Sequence, residues 1–473
     1  MLGLLPLAVA LIYAAMLFGF AAWAEGPGHF KLKSRLRVPA YMLALAVYCT
    51  SWTFFGAVGT AASDGWTYLP IYLGPILLYL FGAGFLRRLI DAVKADGSTS
   101  ISDFIGGRFG KSRSVAALVT LTALLGIIPY IALQLRSVGT TYAEISGRGT
   151  TFWPMVATAG ILAIFAMLFG TRRYEPSSRN EAVLFAIAAE SLVKIAGLMI
   201  AGVFAAMAYF AASPVEQQIG LERFAANFHP SRLGGDSLVI GLLSMAAIMC
   251  LPRQFYIGVI EATSSRDVTD SRKAFILYLL ITTALVVPIT IAGLGLLGGT
   301  ARPDLYVLDL PIRAGSTIIA LIVFIGGFSA ATAMVVVESI ALSTMVSNDL
   351  IAPLLLRNPR FSEDRDFGQT MLTVRRTTIF IIMGLALAWA IGIPAKESLA
   401  SIGLVAFAAM AQFAPALVMA VQRPGRDATA LIAGLTVGLL LWVYTLAMPL
   451  IVPQEWSATV RGKVLDPTAL FGL

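Results

Sequence analysis

The chain has 473 residues, 58% of them hydrophobic and only 13% charged. That is too little charge to cover the surface of a soluble fold of this size, and the mean hydropathy of +0.83 agrees. The two cysteines, Cys49 and Cys250, lie in apolar runs, which excludes a disulfide framework and a metal-ligand spacing. The net charge of +8 follows from loop bias, described below, and not from a nucleic-acid-binding surface.

A membrane span needs roughly 20 apolar residues. Twelve stretches meet this, at 2–23, 39–61, 66–90, 113–138, 152–170, 181–212, 237–260, 274–299, 315–347, 376–394, 399–421 and 428–451. The pattern predicts an all-α polytopic membrane protein. The first stretch has no basic n-region and no A-x-A-like cleavage site, so it reads as a span rather than a signal peptide. The loops at 31–37, 87–113, 172–179, 266–273, 357–376 and 423–426 carry twenty-three Lys and Arg, against eight in the alternate loops. The positive-inside rule then places the N-terminus outside, and twelve spans place the C-terminus outside as well. His29 and His229 fall in loop-like stretches and read as solvated.

Two spans are interrupted. The second reads YCTSWTFFGAVGTAASDGW, with polar residues at its middle, and the seventh reads SMAAIMCLPRQFYIGVIEA, where Pro252 removes a helix hydrogen bond. They begin five spans apart. Gly and Pro are common in membrane helices, but one interrupted helix in each half is also the sequence pointer to a binding site between inverted repeats. Unwound backbone at that depth is tolerated where it is buried or lines a cavity.

Ionisable residues inside spans are costly and usually pair or line a pathway. Glu190 and Lys194 stand at i, i+4 on span six, which favours a structural ion pair over a substrate contact. Glu338 in span nine has no nearby partner in sequence and reads as facing the bundle interior, as a proton site or a partner for Arg253 or Arg136. Arg136 lies near the end of span four, where snorkelling to the interface is favoured over substrate contact. GRFGKSRS lacks P-loop spacing, GLGLLGG suits helix packing, and no kinase motif occurs.

SISDFIGGRFGKS after span three, AAESLVKIAG in span six and STMVSNDL at the end of span nine resemble the sodium/solute symporter family. YCTSWTFFGAVG, LPIYLGPIL, LLGIIPYIALQLRSVG, CLPRQF and GGFSAATAMVVVESIALSTMVSNDL resemble most closely one branch of it, the symporter-like N-terminal membrane domain of sensor histidine kinases. The resemblance covers about residues 40–450. It implies a LeuT-type 5+5 inverted repeat: an N-terminal extra helix and loop (1–38), a first repeat (39–212), a second repeat (237–421), and a peripheral helix with an outer tail (428–473). It also implies a bacterial inner-membrane location and a small amino-acid-like solute such as histidine. In that branch a thirteenth span leads into a cytoplasmic kinase module. A stand-alone transporter and the nutrient-sensing domain of a truncated or split kinase both fit a chain ending at PTALFGL.

The same resemblance places the family's ion site on Ala46, Tyr48 and Cys49 of span two and on Ala330, Ala333 and Met334 of span nine. Tyr48 stands where sodium-coupled proline permeases carry an acid, and Ala333 and Met334 stand where paired hydroxyls are found. Ser329 and Thr332 compensate only through a register shift. A hard cation needs oxygen ligands, so proton coupling, through Glu338, is expected over sodium. No other cofactor and no metal are expected. The residues expected to line the solute cavity, around spans two, four, seven and nine, are Thr50, Ser51, Trp52, Tyr130, Arg253, Tyr256 and Glu338.

Overall fold

A computed structural model describes residues 3–25, 30–171, 180–299, 301–357, 367–392, 399–422 and 427–451. The described residues form helices joined by short turns. Without water to satisfy backbone groups in a bilayer, the helix is the one open-chain solution. Segments 172–179, 358–366 and 423–426, which carry part of the basic excess, lie outside the described residues. So do His29 and the expected outer tail beyond Ile451.

The chain runs through α1 (Leu5–Glu25), α2 (Phe30–Ala44), α3 (Ala57–Asp64), α4 (Pro70–Phe81), α5 (Ala83–Asp96), α6 (Ile101–Arg108), α7 (Arg113–Ser146), α8 (Phe152–Gly170) and α9 (Glu181–Ala211). It continues through α10 (Pro214–Asn227), α11 (Gly235–Cys250), α12 (Pro252–Phe255), α13 (Arg266–Leu296), α14 (Tyr306–Arg313) and α15 (Thr317–Met345). Helices Phe367–Gly392, Leu399–Ala411, Ala414–Gln422 and Ala428–Trp442 follow. Nine of the described helices are long and apolar enough to cross a membrane, or eleven with each of two bent pairs taken as one span.

Both expected interruptions are present. Arg35–Tyr48 and Trp52–Tyr68 meet at 67°, and Gly235–Cys250 and Pro252–Ile260 meet at 54°. The expected third span, 66–90, is not one continuous helix. It is α4 followed by α5, with Gly82 between them out of helical geometry (φ −93°, ψ 7°). At about 1.5 Å per residue, α4 is too short to cross alone. Spans eight to ten begin or end several residues from the expected positions, because their helices continue into polar sequence: Arg266–Leu296, Thr317–Leu355 and Phe367–Gly392.

Among the described residues one large apolar cluster makes up most of the core, with a small second one of Ala24, Ala40, Phe185 and Ala188, and α15 is buried along most of its length between α7, α8 and α9. Small residues let these helices approach closely: a Cβ at Gly197 of α9 would stand 3.0 Å from Gly326 Cα of α15. The two ends of the bundle differ. At the basic end Arg37 donates to Thr263 and to the Glu261 carbonyl, and Arg375 donates to Ser347 and Asn348. At the opposite end the short helix α10 packs on α13, and α14 packs on α13 and α15. Ser213 and Glu216 form a capping box that starts α10. Trp66 Nε1 donates to the Phe228 carbonyl, and Asn227 Nδ2 donates to that of Ala62. A Cβ at Gly59 of α3 would fall 1.8 Å from Asp304 Oδ1 and 3.1 Å from Asp304 N, so any larger residue there displaces Asp304. Exposed His229 lies on this end.

Candidate functional site

The site forms where the two broken spans cross. In span two the helix stops at Tyr48, and Cys49 turns to extended backbone (φ −77°, ψ 106°). Thr50 restarts it: its hydroxyl accepts from Trp52 N at 3.2 Å, while Thr53 Oγ1 donates to the Thr50 carbonyl at 2.8 Å. In span seven Leu251 is extended (φ −62°, ψ 128°), and Pro252 begins the second half at the position where its missing N–H costs nothing. Arg253 therefore stands in the first turn of a half-helix at the centre of the bundle.

Arg253 Nη1 donates to Glu338 Oε2 at 2.6 Å, and both side chains are 0% exposed. The guanidinium carbon lies 4.8 Å from the centroid of the Tyr130 ring, within cation–π range. Tyr130 and Thr50 share a hydrogen bond of 3.3 Å. Ser51 donates to Gln134 Oε1 twice, from its hydroxyl at 2.7 Å and its backbone N at 3.1 Å. Phe407 completes the cluster, with its centroid 5.2 Å from Trp52, 5.9 Å from Tyr130 and 6.1 Å from Tyr48.

Of the residues expected to line the cavity, Thr50, Ser51, Trp52, Tyr130, Arg253 and Glu338 are brought together. Tyr256 is not: its charged neighbours are Glu261 and Arg375, at the basic end. Gln134 and Phe407 are additions. Gln134 had a signal, being a polar residue one turn after Tyr130 in the middle of an apolar span. Phe407 in AFAAM had none. Several buried polar atoms in the cluster lack a protein partner: Arg253 Nε and Nη2, Glu338 Oε1, Gln134 Nε2 and Trp52 Nε1. Buried polar groups are ordinarily paired, so this set gathers unpartnered donors and a carboxylate acceptor in one buried place.

The expected ion-site positions behave differently from one another. The Cys49 carbonyl, freed by the break in span two, accepts from Lys194 Nζ at 2.7 Å, and the Ala46 carbonyl, which also receives Cys49 N at 3.0 Å, accepts from the same amine at 2.6 Å. Tyr48 turns its hydroxyl to the Ile71 carbonyl. Ala330, Ala333 and Met334 are fully buried and offer no side-chain oxygen. Ser329 donates to the Glu190 carbonyl at 2.9 Å, and Thr332 donates to Glu190 Oε1 at 2.5 Å. The expected Glu190–Lys194 ion pair therefore does not form: each side chain has partners on another span, which claim its polar atoms more closely than the i, i+4 neighbour. Arg136 does not snorkel into the open; it is 8% exposed within α7.

The motifs of the sequence resemblance meet at the basic end. Ser102 and Thr120 both donate to Asp349 Oδ2, the latter at 2.7 Å, and Asn348 Nδ2 donates to Thr99 Oγ1 at 3.2 Å. Asp103 and Ser100 cap α6 reciprocally, through Thr99 N and Asp103 N. A cleft of about 880 Å³ opens beside them, lined by Asp103, Arg108, Lys111, Asn348, Asp349 and Leu356 among others.

No family model matches the chain. Over 398 residues it is 23% identical to an uncharacterized symporter, YodF, of Bacillus subtilis (strain 168), covering 82% of this chain and 75% of the relative. Among solved structures it is similar to a Na+-coupled sialic acid symporter in a substrate-bound, outward-open state. The TM-score there is 0.65 at 14% identity, over 95% of this chain and 98% of the other. It is also similar to a manganese transporter of Eremococcus coleocola, with a TM-score of 0.51 at 13% identity, over 94% and 90% of the two chains. These likenesses establish an all-α polytopic membrane fold. The proteins it resembles are transporters, not enzymes.

Proposed function

We propose that the chain is a secondary transporter of a small zwitterionic solute, an amino acid such as histidine, and that it works by alternating access. The carrying observation is the fully buried Arg253–Glu338 pair at the joint of the two broken spans, with guanidinium donors and one carboxylate oxygen still unpartnered. A carboxylate of the solute suits Arg253 Nε and Nη2, and an ammonium or imidazolium suits Glu338 Oε1. Tyr130, Trp52 and Phe407 supply the apolar walls. The two breaks lie in spans five apart, which supports two inverted five-helix repeats, 39–212 and 237–421, rocking about the site.

On this reading the basic end faces the cytoplasm and the N-terminus lies outside, in the inner membrane of a bacterium. Proton coupling is favoured over sodium by the lack of side-chain oxygens at Ala330, Ala333 and Met334. The symporter and transporter names of the relatives favour uptake over a sensing domain that serves a kinase. The test is uptake of labelled histidine, and of a panel of other amino acids, into proteoliposomes with proton and sodium gradients imposed separately. Accumulation of one amino acid under a proton gradient is expected. Background uptake for every amino acid overturns the proposal.

A further inference from the structure

We infer that the solute's side chain carries an uncharged hydrogen-bond acceptor, and that Gln134 Nε2 and Trp52 Nε1 select it. The inference rests on the transporter reading above and deepens it, by naming the chemistry of the solute beyond its carboxylate and its ammonium.

The orientation of the Gln134 amide is fixed by its neighbour. Ser51 N can only donate, and it meets Gln134 Oε1 at 3.1 Å, with the Ser51 hydroxyl on the same oxygen at 2.7 Å. The oxygen is therefore the end turned to Ser51, and Nε2, with its two hydrogens, is left for another group. Gln134 is 0% exposed, and Nε2 has no partner in the protein. Trp52 Nε1 is a second buried donor without a partner, and an indole N–H cannot accept. The Trp52 ring is held in place: Phe407 stands edge-on to it at 5.2 Å and 84°, and a Cβ at Gly403 would lie 3.1 Å from Trp52 Cδ2. Both donors adjoin the ion pair. Gln134 lies one turn beyond Tyr130, whose ring faces Arg253 at 4.8 Å, and Trp52 follows Ser51 in sequence.

Within this cluster the orphaned donor atoms are Arg253 Nε and Nη2, Gln134 Nε2 and Trp52 Nε1, against the single orphaned acceptor Glu338 Oε1. The carboxylate of an amino acid takes the two from Arg253, and its ammonium takes Glu338 Oε1. Two donor atoms remain, and no acceptor. A hydrocarbon side chain leaves both unmade, which costs free energy in a buried site. A cationic side chain brings more donors, together with a charge that the balanced Arg253–Glu338 pair does not neutralise. An anionic side chain meets the donors but buries an uncompensated charge. An amide carbonyl, a sulfoxide oxygen or the bare nitrogen of a neutral imidazole meets them without that charge. Any N–H on the same side chain has the lone pairs of the Thr50 and Tyr130 hydroxyls, which share a hydrogen bond of 3.3 Å.

The experiment is isothermal titration calorimetry on the full chain, purified in detergent, with shape-matched pairs of probes that differ in one acceptor. Asparagine against leucine, and methionine sulfoxide against methionine, are amino acids. Levulinate against isocaproate repeats the comparison without an ammonium. The acceptor-bearing member is expected to bind wild type about tenfold or more tightly than its apolar match, because a site built to hydrogen-bond rejects the analogue that lacks the group. That ratio is expected to fall toward one in Trp52→Phe, which has no N–H, and in Gln134→Glu, which keeps an oxygen for Ser51 and loses the amide hydrogens. Should one variant fail to fold, the other carries the comparison. Equal binding of asparagine and leucine, and of methionine sulfoxide and methionine, overturns the inference and leaves amino acid transport standing. A wild-type ratio retained in the folded variants overturns it as well. Preference for levulinate over isocaproate, with no binding of any amino acid, supports the acceptor subsite and overturns the amino acid reading alone. No binding of any probe overturns both.

Discussion

Ser102 and Asp349 are 247 residues apart in sequence, yet the Ser102 hydroxyl donates to Asp349 Oδ2, the oxygen that also receives Thr120. One carboxylate thus clasps the loop helix α6, the start of α7 and the end of the ninth span at the basic end. Hydrogen bonds to a charged group contribute roughly 1.5–3 kcal/mol, and orphaned hydroxyls add cost. Asp349→Ala should lower the unfolding free energy by about 1–3 kcal/mol and speed reaction of a cysteine placed at Ala116 with a water-soluble maleimide. Unchanged stability and labelling would show that the clasp holds nothing.

The Arg253–Glu338 pair makes an asymmetric prediction. Removing one partner strands a buried charge and costs about 3–5 kcal/mol, whereas replacing both by apolar residues of similar size is often neutral or stabilising. Arg253→Met and Glu338→Leu should each destabilise strongly, and the double variant should regain most of that stability while still failing to take up solute. A double variant with wild-type uptake removes the pair from the solute site.

Gln134 anchors the restart of span two by accepting from Ser51 twice. Gln134→Leu leaves the Ser51 hydroxyl and backbone N–H buried without an acceptor, at a cost of about 1–3 kcal/mol. Ser51→Ala keeps the backbone bond, and a loss of about 1 kcal/mol or less is expected. Thermal unfolding of the two variants, side by side, checks the order.

Much of this was legible in the sequence, for identifiable reasons. Pro252 and the polar run around Thr50 marked both breaks, because the bilayer leaves interrupted backbone few places to be. A partner for Glu338 could be narrowed to Arg253 or Arg136, because an unpaired charge inside a span demands one, and the structure gives Arg253. Lys194 could not be placed. Its i, i+4 spacing to Glu190 is a local signal, and the winning partners, Ala46 and Cys49 O, are backbone atoms that sequence identity does not reveal. Phe407 escaped notice because an aromatic in an apolar span has no pattern that separates a site wall from ordinary core. Gly82 in the third span was hidden by the continuous hydropathy of its flanks.

The bundle end away from the basic residues carries a pH-dependent term. Asp309 on α14 is partly buried, and burial, with Glu144 nearby, pushes its carboxyl up to about 7 from the ordinary 3.8. A carboxyl raised on folding means that the folded form binds the extra proton between those two values, so stability falls as pH rises through that window. Asp309→Asn should flatten this part of the profile of unfolding temperature between about pH 4 and 7. A wild-type profile that rises across that interval and is unchanged in the variant would contradict the assignment.

The absence of a side chain at Gly59 makes this residue a dial as well as a contact. With Asp304 Oδ1 only 1.8 Å from where a methyl would sit, alanine, serine and valine at 59 form a ladder of doorstops. Each must push the Asp304 side chain, and then its backbone, further aside, and the expected outcome is a stepwise shift of the population toward conformers parted at that contact. Antibody fragments selected against successive rungs would then sort themselves by the shape they capture, giving reagents that report a conformation without any knowledge of the solute.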